Sequence, residues 1–401
     1  TLRLSAAMDG SGPLTKSGAG TLKLSGANSY TGSTAINGGT VFLNSGSRLP
    51  DFTVVSLPGA TSTLDLNGTS QHIGSLDGSG TIKLGAGTLG VTQNVDGTFS
   101  GTIMDGGNLT KDGPATLTLT GPSSYTGITT VDAGILSVAS SGALGTSNVT
   151  VTSGATLNIA DGVALTSPSS INLAGTGVTR SGASVGALTG TGTASYSGNL
   201  VLSGVTGIGA ALGDTLTLGG SRSGAGSLTK LGDGTVVLGG SASYAGGTTV
   251  DAGVLTAGNA TALGTAGTVT VKSGGTLNIA DGITLAAGTP ISLYGTLRGT
   301  GTAGYAGPVT LEAASARIDT PLAGDTLTLS AAMDGSGSLT KSGAGTLTLA
   351  GPGSFAGTTR VTDGMLTLQG AGSLGGGAAT VDSGATLHLD GVALTSPSSI
   401  N

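Results

Sequence analysis

Two histidines, one glutamate and no cysteine stand in this chain of 401 residues, so any acid–base or metal site must be built largely from aspartate. His388, in TLHLDG, occupies a slot filled by Asp65 in TLDLNG and by Asn158 and Asn278 in TLNIADG. A catalytic side chain does not exchange so freely, and His388 is expected on an outward, solvated strand position. His72, in TSQHIGSL, has no counterpart and no acidic partner nearby in sequence; it is expected at the surface or in a turn. Of 19 aspartates, eleven directly precede glycine, the signature of tight turns in which Asp bonds its own backbone. The tandem Gly-Gly-x-Gly-x-Asp pattern of calcium-binding rolls is missing, so neither a metal site nor a cofactor is expected. Glu312, Arg317 and Asp319 in LEAASARID form the densest charge cluster and are expected to mark a loop or an edge. A polysaccharide lyase or hydrolase would instead need three or more ionisable side chains converging on one groove. No residue is assigned a catalytic role.

The elements that would carry such residues are written as a repeat. LTKSGAGTLKLSGANSYTG, residues 14–32, returns in close versions at Leu109, Leu228 and Leu339. Sixteen positions after each of these leucines comes an aromatic residue: Tyr30, Tyr125, Tyr244 and Phe355. Seven of the ten aromatics, adding Phe99, Tyr196 and Tyr305, are followed by x-Gly. These seven are expected to be structural anchors, each ring covering a corner while the glycine permits a sharp bend. Phe355 in a tyrosine slot implies that the hydroxyl is dispensable. Lys16, Lys111, Lys230 and Lys341 recur in Leu-Thr-Lys and are expected to be exposed at strand ends, where lysine discourages sideways sheet association.

Within the phrase, TLKL, TLTL, TVVL and TVTV alternate with period two, and no apolar spacing of 3.6 persists over several turns. Short strands with glycine punctuation and few aromatics suit a narrow core. The expected fold is all-β: a right-handed parallel β-helix without significant helix, with three strands per rung of roughly 20–25 residues. That implies roughly 16–20 rungs and a rod on the order of 75–95 Å long. The expected organisation is one continuous solenoid over 1–401, in modules 1–105, 106–223, 224–334 and 335–401, cut from a longer chain. The near-identity of residues 1–24 with 326–349, and of 161–172 with 390–401, implies copied and shuffled modules.

Composition narrows the partners. With a net charge of −6 and fourteen Lys and Arg, the chain offers no basic patch for nucleic acid or anionic membrane. No apolar run is long enough to span a bilayer as a helix, so no membrane insertion by this segment is expected. Absence of cysteine suits transit through an oxidising compartment.

GSLTKSGAGTLTLAGPGSFAGTTRVTDGMLTL (337–368), GGNLTKDGPATLTLTGPSSYTGITTVDAGIL and GAGSLTKLGDGTVVLGGSASYAGGTTVDAGVL resemble the passenger-associated transport repeat of bacterial type V autotransporters. Leu-Thr-Lys, the Thr-Leu alternation, the aromatic-x-Gly and the following Val-x-x-Gly all stand in order. The resemblance implies a passenger exported through the outer membrane to the extracellular space or bacterial surface. It implies roles in adhesion, aggregation or passenger folding, and a membrane barrel in the parent protein. The expected function is a non-catalytic structural and adhesive rod or fibre, whose partners are itself or an extracellular surface or glycan. A β-helix carbohydrate-active enzyme and a glycan-binding module are the alternatives.

Overall fold

The structure, a computed structural model, describes residues 1–370, 374–392, 394 and 399–401. Part of the second DGVALTSPSSIN copy lies outside the described residues. The chain divides into two compact units, Thr1–Val201 and Leu202–Asn401. Each is a β-solenoid of stacked parallel strands, and together they hold about 18 turns. Among the described residues there is no helix.

Alternation explains both units. In the first, the strands Thr21–Leu24, Gly39–Leu43, Ser62–Asp65, Thr81–Lys83 and Thr102–Met104 stack in parallel. Their inward residues Leu22, Val41, Leu64, Ile82 and Ile103 form one column at 0–6% exposure. The outward neighbours Thr21, Thr40, Thr63, Thr81 and Thr102 form the matching polar column. In the second unit Leu327, Leu347 and Leu366 repeat the arrangement. Fully burying such a side chain contributes roughly 1.5–3 kcal/mol. A one-residue slip would turn the whole column outward, so each rung inherits its register from the last.

Successive rungs pair at offsets of about 20 residues, as in Leu109↔Thr129 and Leu228↔Thr248. One rung is longer: Leu157 pairs with Leu188. The extra residues include an antiparallel hairpin, Thr179–Arg180 with Ala183–Ser184. Its turn residues Ser181 and Gly182 both have positive φ, the geometry a two-residue hairpin requires.

Candidate functional site

The lysines correct the expectation of exposure. In Leu-Thr-Lys the alternation runs inward, outward, inward. Lys111 occupies the core column between Val91 and Val131, Lys230 between Ile208 and Val250, and Lys341 between Ile318 and Val361. Lys16 stands beneath Ile36. Lys111, Lys230 and Lys341 are fully buried and Lys16 nearly so.

Burying an ammonium is costly unless each of its three donors is met. All three are. Lys111 Nζ donates to the carbonyls of Asp112, Gly113 and Ala133, each at 2.9 Å. Lys230 donates to Leu231 (3.0 Å), Gly232 (2.6 Å) and Ala252 (3.1 Å), and Lys341 to Ser342 (3.0 Å), Gly343 (2.7 Å) and Asp363 (3.1 Å). Lys16 repeats the set with Ser17, Gly18 and Gly38. Two acceptors belong to the turn that the lysine opens; the third lies 22 residues on, in the next rung. One cation thus closes a turn and ties it to its neighbour. The residue two after each lysine, Gly18, Gly113, Gly232 or Gly343, has φ between 72° and 79°, a conformation glycine adopts without penalty. Burial lowers Lys111, Lys230 and Lys341 to about 8, against the opposing pull of neighbouring aspartates, so the cation persists at neutral pH.

The seven aromatic residues followed by x-Gly all lie inside, at 0–3% exposure: Tyr30, Phe99, Tyr125, Tyr196, Tyr244, Tyr305 and Phe355. Every tyrosine among them has a hydroxyl partner, which sequence reading treats as dispensable. Tyr30, Tyr125 and Tyr244 meet the threonine four residues on, Thr34, Thr129 and Thr248, at 2.6, 2.5 and 2.5 Å. Tyr196 donates to the Pro168 carbonyl at 2.9 Å, and Tyr305 to that of Thr289. The glycine two residues after each ring lies at a bend, as expected, but the bend is not made through positive φ. None of Gly32, Gly101, Gly127, Gly198, Gly246, Gly307 and Gly357 has positive φ. Their need is space: a Cβ on Gly127 would sit 2.1 Å from the Gly107 carbonyl oxygen, and one on Gly198 2.3 Å from the Tyr196 hydroxyl.

Several aspartates reach across rungs rather than to their own turn. Asp96, Asp161 and Asp281 accept from the amides of Thr116, Thr193 and Thr302 at 2.7–2.8 Å. Asp112 and Asp363 accept from the following glycine, as expected. His388 is exposed. Arg317 and Asp319 do not mark a loop: they form a strand, Arg317–Asp319, between two others of one sheet. Asp319 is buried there, pairing with Arg298 (3.0 Å) and Arg317 (3.4 Å) and accepting from Ser342 (2.8 Å). Those partners outweigh the cost of burial and lower its carboxyl. Glu312 joins no ion pair among the described residues.

Ionisable side chains do gather in one groove, in the first unit, where sequence reading placed none. His72 sits mid-strand, in Gln71–Ile73, not in a turn. Parallel register stacks it with Gly90 and Thr110, and the next rungs carry Asp112 and Asp132 one column away. The imidazole lies over Gly90, where a Cβ would come within 2.8 Å of its Cδ2, and its Nε2 is 2.8 Å from Thr92 Oγ1. Residues 48–52, lying against the His72 strand, form one wall: Arg48 and Asp51 line the same space and Phe52 borders it. Buried Gln71 fixes that wall, accepting from the Leu49 amide (2.8 Å) and donating to the Ser47 carbonyl (3.2 Å). The Phe52 ring meets His72 edge to face at 4.8 Å, with φ of 64°, an unusual conformation for a bulky residue. Asp132, though largely open to water, is raised by desolvation first and by the Asp112 carboxylate second. Arg48, Asp51, His72, Asp112 and Asp132 therefore line one space of about 450 Å³.

Four stretches match the passenger-associated-transport-repeat: residues 14–41, 109–138, 228–257 and 339–369. Each contains a complete set of buried lysine, its turn glycine, aromatic residue and cross-rung carbonyl. Over 275 residues the chain is 34% identical to the Adhesin BmaC autotransporter of Brucella suis biovar 1 (strain 1330), a match covering 66% of this chain and 7% of that protein. Over 85 residues it is 44% identical to the Uncharacterized protein YuaQ of Escherichia coli (strain K12), covering 20% of this chain and 6% of that one. The chain spans a small fraction of either relative. No solved structure matches it. The repeats and the adhesin relative support an autotransporter passenger.

Proposed function

We infer that this chain is a non-catalytic, adhesive segment of a passenger exported to the bacterial surface. The observation that carries the reading is the pairing of four passenger-associated-transport-repeats with similarity to an autotransporter adhesin. The geometry supports a division of labour. Buried lysines, aromatic anchors and cross-rung aspartates hold the rungs, leaving outward columns free to vary without loss of the core. Those seven aromatic residues are proposed as the anchors that fix register at each repeat. Self-association or attachment to an extracellular surface is the proposed mode of action.

Display of the chain on a non-adherent bacterium tests this. Cells carrying it are expected to bind epithelial layers or one another several-fold more than cells displaying a β-solenoid of unrelated surface. Equal adherence on every surface overturns the reading. The groove of the first unit favours a second reading, handling of a saccharide by an enzyme, because five ionisable groups line it. Release of shortened products from oligosaccharides would establish that reading instead.

A further inference from the structure

We propose that the groove of the first unit binds a short neutral oligosaccharide and does not cleave it. This rests on the adhesive reading and specifies its ligand. Repetition supplies the first argument: the groove lies where the chain stops copying itself. The wall segment SRLPDF, 47–52, stands where other copies read GALGTS, 142–147, or TALGTA, 261–266, and His72 has no equivalent. Residues needed only for stacking are already present in every copy, so Arg48, Asp51, Phe52 and His72 are additions to the scaffold.

Shape and chemistry select the ligand. A volume of about 450 Å³ is in the range of small-ligand sites. Gly90 seats the His72 imidazole in an outward column that otherwise continues with threonine at Thr110, Thr130 and Thr150, so the ring forms part of the floor. Phe52, 58% exposed and packed edge to face on His72, offers an apolar edge against which the C–H face of a sugar ring would lie. Carboxylates accept from sugar hydroxyls, Arg48 donates, and Thr88 and Thr110 do either. Three aspartates against one arginine repel sulfated or carboxylated glycans. Asp112 and Asp132 follow one another on adjacent rungs of a single wall. That pair is not placed to flank a glycosidic bond from opposite faces, as hydrolysis by paired carboxylates requires; a pairing of either with Asp51, on the 48–52 wall, is what release of shortened products would reveal.

The test is calorimetry of the intact chain with cello-, manno- and N-acetylchito-oligosaccharides, beside a heparin tetrasaccharide and tetralysine. Expected is saturable binding of a neutral oligosaccharide, weakened tenfold or more by Gly90→Thr, which restores the column threonine and displaces the His72 imidazole into the groove. Phe52→Ala and Asp132→Asn, both at exposed side chains, are expected to weaken it as well, with circular dichroism and melting unchanged. Binding of heparin or tetralysine alone, neutral binding indifferent to all three variants, absence of binding, or shortened products each overturn the proposal. Adherence of displaying cells separates the two readings. If Gly90→Thr cells adhere as well as the parent, the groove is dispensable and adhesion stands; if the parent does not adhere, adhesion falls while calorimetry still decides the groove.

Discussion

Thr359 stands four residues after Phe355 with a buried hydroxyl that has no hydrogen-bond partner among the described residues, whereas Thr129, four residues after Tyr125, lies 2.5 Å from that tyrosine's hydroxyl. The fourth repeat has lost the aromatic half of a bond that the other three retain. Phe355→Tyr is expected to restore it and raise stability by about 1 kcal/mol, while Tyr125→Phe orphans Thr129 and lowers stability by about 1–2 kcal/mol. Denaturant titration of both variants checks the pair; a loss on Phe355→Tyr contradicts it.

Lys111→Met keeps the buried stem but removes the donor from three carbonyls. The relief of desolvating a charge offsets part of the loss, leaving an expected cost of about 2–3 kcal/mol. Lys23→Met, on an outward position of Thr21–Leu24, is the control and is expected to stay within about 0.5 kcal/mol of the parent. Equal midpoints for the two variants would refute the three-donor account.

Alkaline titration should show opposed effects. Folding lowers Lys111, Lys230 and Lys341 from 10.5 to about 8, so between these values the unfolded chain holds protons that the folded chain has released, and stability rises with pH. Folding raises Tyr125 and Tyr244, the latter to about 12, from 10.0. Above 10 the unfolded chain loses tyrosine protons that the folded chain keeps, and stability falls. Unfolding free energy is therefore expected to climb from pH 8 and turn over near pH 10. A steady decline from neutrality upward is the opposing result.

Gly127→Ala places a methyl 2.1 Å from the Gly107 carbonyl oxygen, and Gly20→Ala places one in open space, neither glycine having positive φ. The first is expected to lower stability by about 3 kcal/mol and the second to leave it nearly unchanged. Similar melting temperatures would show that the rungs part to admit the methyl.

Strand period, rung length and the inward columns are all legible in the sequence, because they follow from local alternation. The lysines are legible too, through parity: in Leu-Thr-Lys the lysine shares the side of the leucine, and the signal is missed only when charge is allowed to outrank position. What local text does not contain is the contact between rungs. The bonds of Asp161 and Asp281 join residues 32 and 21 apart. The groove gathers Arg48, His72, Asp112 and Asp132 from several turns, so His72 shares a space with acidic groups that its own surroundings in sequence lack. Departure from the repeat was the available clue, since SRLPDF and His72 interrupt it together.

Five of the fourteen lysines and arginines, Lys16, Lys111, Arg222, Lys230 and Lys341, are buried. A trypsin-like protease must draw the cationic side chain into its own pocket and accommodate several residues of extended backbone beside it. The repeat places its regular cation where neither is on offer, because the side chain is spent on carbonyls and the backbone on rungs to either side. A chain caught before its rungs close presents one such cleavage site per repeat, and the same chain afterwards presents none of the four. Susceptibility at Lys16, Lys111, Lys230 and Lys341 therefore reports, repeat by repeat, how far coiling has progressed.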